Sequence, residues 1–154
     1  MLLPIPESRA ALTRYFEGFL DLAKQYNTGF ILDTVTWKAH RHWAEKLGAT
    51  DDELKAANEE CVRFIADLRA RYPDNAKPIV LNAVMGPRGD AYRPEAVIAM
   101  NDAEAYFSRQ LHWLAATEID MVTAQTFNQS GEAAGLAIAA RKIGQSAKRH
   151  SSLP

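Results

Sequence analysis

Three apolar runs in this chain each end in side chains that could hold a polar ligand. Phe30-Ile31-Leu32 leads into Asp33, Thr34 and Thr36. The run from Pro78 to Val84 contains Asn82 and leads into Gly86 and Asp90. Met121-Val122 leads into Thr123 and Gln125. Two carboxylates, two amides and several hydroxyls can bind an ammonium or hydroxyl group, and Arg88 and Arg93 could meet a carboxylate. Capping of loop backbone competes with every one of these uses. The candidate binding residues are Asp33, Thr34, Thr36, Asn82, Gly86 and Gln125.

Other chemistry is excluded or recedes. Cys61 is the only cysteine, so an internal disulfide and a multi-cysteine metal site are both ruled out. It falls on the apolar stripe of a helix, which fits a buried structural thiol. His40 and His42 are two apart and point in different directions on a helix, which favours surface residues over a metal pair. His112 and His150 have no local constellation. Gly86-Pro87-Arg88-Gly89 lacks the Gly-Lys-Ser/Thr ending of a phosphate loop, and its glycines suit a tight turn after a strand. Trp37, Trp43 and Trp113 fit packing rather than a stacking platform.

The surrounding pattern supplies the elements that would position these groups. Leu12, Tyr15, Phe16, Phe19, Leu20 and Ala23 recur at helical spacing, which predicts a helix over 8–26 with Ser8 as its cap and Gly29 in the left-handed position after it. Runs apolar on both faces predict buried parallel strands at 30–32, 78–84 and 121–127. A short helix is expected from Lys38 to Leu47, ended by Gly48. Thr50 and Glu53 form a capping box for a helix through Leu54, Ala57, Cys61, Phe64, Ile65, Leu68 and Tyr72, closed by Pro73-Asp74-Asn75. A further helix is expected with Asn101 as cap and Glu104 three residues on, turning Ala103, Tyr106, Phe107, Leu111 and Leu114 inward. The last runs from Ser130 to about Ile143. A helix followed by three strand–helix units argues for a parallel α/β sheet with right-handed crossovers. In such folds ligands bind at the C-terminal ends of the strands, where the candidate residues cluster. Residues 1–144 form one domain in this reading, and the polar, basic stretch 145–154 a disordered tail.

Composition limits the partners. The chain has 154 residues, 47% of them hydrophobic and 24% charged, with a formal net charge of −1. These are ordinary values for a globular protein, with no basic excess for nucleic acid and no apolar run long enough for a membrane span. The start Met-Leu-Leu-Pro-Ile-Pro does not have the form of a signal peptide, so a cytoplasmic location is expected.

The three strand ends also carry a family resemblance. Gly29-Phe30-Ile31-Leu32-Asp33-Thr34-Val35-Thr36-Trp37-Lys38-Ala39 is similar to the second strand of the homocysteine S-methyltransferase family, with its Thr-x-Thr-aromatic-x-Ala ending. Asn82-Ala83-Val84-Met85-Gly86-Pro87-Arg88-Gly89-Asp90-Ala91-Tyr92 resembles its third strand and Gly-Pro loop. Ile119-Asp120-Met121-Val122-Thr123-Ala124-Gln125-Thr126, followed by Glu132-Ala133, resembles its fourth strand and the next helix start. The similarity spans roughly residues 5–144.

The resemblance implies a partial (β/α)8 barrel with its site at the C-terminal rim. It also implies a homocysteine-like small-molecule substrate and methyl transfer to the homocysteine thiol, giving methionine. A zinc ion held by three cysteine thiolates lowers the pKa of that thiol in the family. Those cysteines, and the family's first strand, have no counterpart in this sequence. No cofactor is therefore expected in this chain, which is expected to be inactive alone. Gln125 stands where many members have a Glu that grips the substrate's ammonium, and an amide brings no charge to that contact. Two alternatives stay open: a non-catalytic half barrel that pairs with itself or with a second half, and a metal-independent enzyme using Asp33, Asp90 and Gln125.

Overall fold

A computed structural model describes residues 3–73, 77–92 and 97–151, with side chains described as far as Gly144. Its elements alternate as the apolar pattern requires. They are α1 (Pro6–Gln25), β1 (Phe30–Asp33), α2 (Arg41–Lys46), α3 (Asp51–Ala70), β2 (Ile79–Met85), α4 (Met100–Ala115), β3 (Met121–Ala124) and α5 (Ser130–Ser151). The strands form one parallel sheet in the order β1-β2-β3. Phe30 to Asp33 pair with Ile79 to Asn82, and Asn82 to Met85 pair with Met121 to Ala124. The fold is α/β and has the topology of a partial (β/α)8 barrel. No helix among the described residues is long and apolar enough to cross a membrane.

Alternation along the strands divides the sheet into two unlike faces. Leu32, Leu81, Ala83 and Met85 lie on the helix side. Leu32 and Leu81 join Phe16 and Leu20 of α1 and Cys61, Phe64, Ile65 and Leu68 of α3. Ala83 and Met85 join Phe107, Leu111 and Leu114 of α4 and Leu136 and Ala139 of α5. The opposite face carries Ile31, Asp33, Val80, Asn82, Val84, Met121 and Thr123. Burying the first set removes apolar surface from water at about 25 cal/mol per Å², so the helix side carries most of the stabilisation.

Several local expectations are corrected. Ile5 caps α1 with Pro6 in its first turn, and no side chain serves as cap, so Ser8 lies inside the helix. Proline's fixed φ and missing N–H suit that first turn. The left-handed residue after α1 is Asn27, at φ 52°, rather than Gly29. Gly29 instead approaches the neighbouring strand, where an added Cβ would lie 3.0 Å from the Pro78 carbonyl oxygen. Ala99, not Asn101, precedes α4, again without a side-chain cap. Helix α2 starts at Arg41 with His40 as its N-cap. Strand β3 ends at Ala124, before the left-handed Thr126. Helix α5 continues beyond Ile143 to Ser151, and basic residues in a last helical turn suit the helix dipole. The Thr50–Glu53 capping box forms as expected. Asp74, Asn75 and Arg93 lie outside the described residues, as do the last three residues and the side chain of His150.

Candidate functional site

Asp33 at the end of β1, Asn82 in the middle of β2 and Thr123 near the end of β3 meet across the open face of the sheet. The Asn82 amide donates to Asp33 Oδ1 at 2.7 Å and accepts from Thr123 Oγ at 2.9 Å. Asn82 is buried, whereas Asp33 and Thr123 are half-buried. The row therefore leaves acceptor capacity on the Asp33 carboxylate, at the end where α/β folds bind ligands. Gln125 follows one turn of the pleat beyond Thr123. Its backbone N–H continues the ladder to the Met85 carbonyl at 2.9 Å, and alternation assigns it to the same face as Thr123.

Thr34 and Thr36 are placed differently. Both are buried, and their hydroxyls lie 2.5 Å apart. Thr36 Oγ donates to the Val84 carbonyl at 2.7 Å, and Thr34 Oγ accepts from the Val84 N–H at 3.0 Å. They continue the strand ladder with side chains after the β1 backbone has turned away, which meets the hydrogen-bonding needs of Val84.

Gly86 owes its identity to a close approach. Its N–H donates to the Trp37 carbonyl at 2.9 Å, and an added Cβ would lie 2.4 Å from that oxygen. The Trp37 indole N–H reaches Thr126 Oγ at 2.9 Å. Thr126 holds φ 61°, a left-handed conformation that a β-branched residue adopts only under constraint. All three post-strand loops thus meet at Trp37.

Charged groups surround this junction. Lys38 Nζ donates to the carbonyls of Gly89 at 2.6 Å and Pro87 at 3.3 Å, and lies 4.4 Å from the Trp37 ring centre. Desolvation lowers the Lys38 pKa, and the nearby Asp90 and Glu132 carboxylates oppose that shift. Glu132 is buried and accepts the Arg88 N–H at 2.7 Å. The Asp90 carboxylate accepts from the Tyr92 N–H at 2.8 Å, closing a local turn.

The expectation for His40 and His42 as surface residues is overturned. His40 is buried between the β1–α2 loop and α4, with Nδ1 2.8 Å from the Tyr106 hydroxyl. His42 is half-buried, and its N–H donates to the same hydroxyl at 3.0 Å. Burial, then the Lys38 charge, pushes His40 down to about 3, so the imidazole is neutral at pH 7. Burial pushes Tyr106 up to about 12. Next to this pair, Gln110 Nε2 donates to Asn58 Oδ1 at 2.8 Å and to the Ala39 carbonyl at 3.0 Å. Cys61 is buried as expected, and desolvation pushes its thiol up to about 11. His112 makes a local contact, Nδ1 to the Ser108 carbonyl at 2.6 Å.

Lys38, Glu132, Asn58 and Gln110 are the groups that residue-by-residue reading passed over. For the last two a signal was present. Gln110 lies between Phe107 and Leu114 at spacings of three and four, and Asn58 four residues after Leu54, so each polar group interrupts an apolar stripe.

No curated protein sequence matches the chain significantly. The fold is similar to that of the metallated homocysteine methyltransferase MmuM from Escherichia coli, with a TM-score of 0.74 and 17% sequence identity over 94% of this chain. The match covers 50% of that protein, so this chain spans about half the length of its structural relative. The sequence profile of the homocysteine S-methyltransferase family matches residues 3–151. With that match over nearly the whole sequence, the chain belongs to the homocysteine S-methyltransferase family.

Proposed function

We propose that this chain provides a substrate-recognition rim for a homocysteine-like amino acid and does not complete methyl transfer by itself. The observation that carries the reading is the row Asp33–Asn82–Thr123 on the open face of the sheet, in a chain of this family. Asp33 is suited to an ammonium, and Gln125 offers an uncharged acceptor further along the same face, beyond Thr123. The cytoplasm is the compartment proposed, in keeping with a single unpaired cysteine.

The family's zinc does not fit the residues present. Three thiolates are needed, whereas Cys61 is the one cysteine, buried on the helix side and protonated at neutral pH. Among the described residues no group of three or more His, Cys, Asp or Glu side chains could hold a metal ion. No step of methyl transfer is assigned to this chain.

The test combines binding with turnover. Titration of L-homocysteine into the purified chain is expected to give heat or thermal stabilisation. Incubation with homocysteine, zinc and sulfonium methyl donors is expected to give no methionine. Zinc-dependent methionine formation would overturn the second half of the proposal, and absence of homocysteine binding would overturn the first.

A second reading is favoured by one observation. The open face of the sheet exposes Ile31 and Met121, and among the described residues β1 and β3 each pair on one side only. Such edges and faces recruit a partner, so the chain would pair with itself or with a second half of the barrel. Light scattering on the purified chain separates the readings, because a monomer at all concentrations argues against pairing.

A further inference from the structure

We propose that Lys38 and Glu132 are positioning residues that clamp the Gly86–Asp90 loop from opposite sides and thereby set the geometry of the substrate rim. The ligand half of this inference rests on the homocysteine reading above. The clamp itself rests on geometry alone.

The loop has no regular secondary structure and contains two glycines, so its shape must be imposed by neighbours. Three consecutive residues are held in alternation. The Pro87 carbonyl accepts from Lys38, the Arg88 N–H donates to Glu132, and the Gly89 carbonyl accepts from Lys38. A cation takes the carbonyls and an anion takes the amide, so each charge matches the backbone dipole it faces. Charge-assisted hydrogen bonds of this kind are about twice as strong as neutral ones. The two residues come from separate elements, Lys38 from the β1–α2 loop and Glu132 from the first turn of α5. Neither is free in water: Lys38 lies against the Trp37 ring, and Glu132 is 3% exposed. Burying a charge such as Glu132 is costly unless hydrogen bonds satisfy it, and the Arg88 N–H supplies one.

The clamp is connected to the rim. Below the held residues, the Gly86 N–H is bonded to the Trp37 carbonyl, and the Trp37 indole is bonded to Thr126, the neighbour of Gln125. A displacement of the loop would therefore reach Trp37, Thr126 and the Gln125 side chain without touching the Asp33–Asn82–Thr123 row.

The experiment compares wild type with Lys38→Met, Lys38→Arg, the isosteric Glu132→Gln and the Lys38→Met/Glu132→Gln double variant. Trypsin cleavage after Arg88 is followed by mass spectrometry under native conditions, together with thermal midpoints and calorimetric binding of L-homocysteine. Each single loss is expected to speed cleavage after Arg88 by about tenfold, through local opening at a nearly unchanged midpoint. The double variant is expected to exceed either single by far less than the product of the two effects, because both act on one loop. Lys38→Arg is expected to restore both slow cleavage and homocysteine affinity, which a general loss of stability would not allow. Homocysteine binding is expected to weaken about fivefold or more in Glu132→Gln while the midpoint holds. If Lys38→Met does not fold, Glu132→Gln alone decides. Wild-type cleavage rates in Glu132→Gln would overturn the clamp. Weakened loop protection with unchanged homocysteine affinity would overturn its role at the rim. If wild type itself binds no homocysteine, the proposed function fails and the ligand half fails with it, while the cleavage comparison still accepts or rejects the clamp.

Discussion

At the scale of single residues, neighbouring polar side chains do unlike work. Asp33 keeps carboxylate capacity facing the open side of the sheet, whereas Thr34 and Thr36, one and three residues later, spend their hydroxyls on the backbone of Val84. Their position at a strand end was legible in the sequence. Their partner was not, because Val84 lies 48 residues beyond Thr36 and is brought there by the parallel pairing. His40 shows the same limit: its partner Tyr106 is 66 residues away, so spacing to His42 said nothing about its burial. That burial has a pH signature. The folded-state pKa of about 3 lies below the ordinary 6.5, so the stabilising contribution is complete above pH 6.5 and is lost as pH falls toward 3. Urea unfolding between pH 7 and 4.5 is expected to show stability falling by up to about 1.4 kcal/mol per pH unit from this group, and a flatter profile in His40→Gln. Gln125 tests the substrate reading directly. Gln125→Glu adds a charge-assisted contact to an ammonium, and calorimetry is expected to show homocysteine binding about tenfold tighter, a gain of about 1.4 kcal/mol. Unchanged affinity would place the ligand ammonium elsewhere.

Elements were read best where the deciding contacts are local. The capping box at Thr50 and Glu53 involves residues three apart and forms with both bonds present. The strands were legible from their apolar runs, but burial on both faces holds only for β2, since β1 and β3 leave Ile31 and Met121 exposed. Helix starts at Ser8 and Asn101 were misread because cap composition is only a preference. Pro6 fixes one start, and backbone geometry at Ala99 fixes the other. Close packing between elements left no composition signal at all. Gly135 of α5 faces α4 so tightly that an added Cβ would lie 2.5 Å from both Ala103 Cβ and the Met100 carbonyl oxygen. Gly135→Ala would gain helix propensity, yet overpacking dominates, and chemical denaturation is expected to show a net loss of about 1–3 kcal/mol. Gly144→Ala, where an added Cβ meets nothing within 4 Å, serves as the control and is expected to be neutral or stabilising.

For the whole molecule, the two sheet faces set the solution behaviour. The helix face is closed by two apolar clusters, and the other presents Ile31 and Met121 beside the polar row. Sedimentation at rising concentration is expected to show self-association, and Ile31→Lys is expected to shift the population toward monomer by placing a charge on the β1 edge. Association that is indifferent to Ile31→Lys would locate the contact on another surface. The polar row has a further geometric meaning. Asp33 lies level with Asn82 in the pairing register, but Thr123 lies two residues beyond Met121, the residue level with Asn82. The row thus climbs two residues in crossing two strand gaps, or about one per strand, the stagger of a closed eight-stranded barrel of shear 8. Asp33 and Thr123, two strands apart, therefore fall in one layer about the axis such a barrel would have, and Asn82 bridges them from the strand between. Two hydrogen bonds through one amide thus tie together side chains that the pairing register alone sets two residues apart in level.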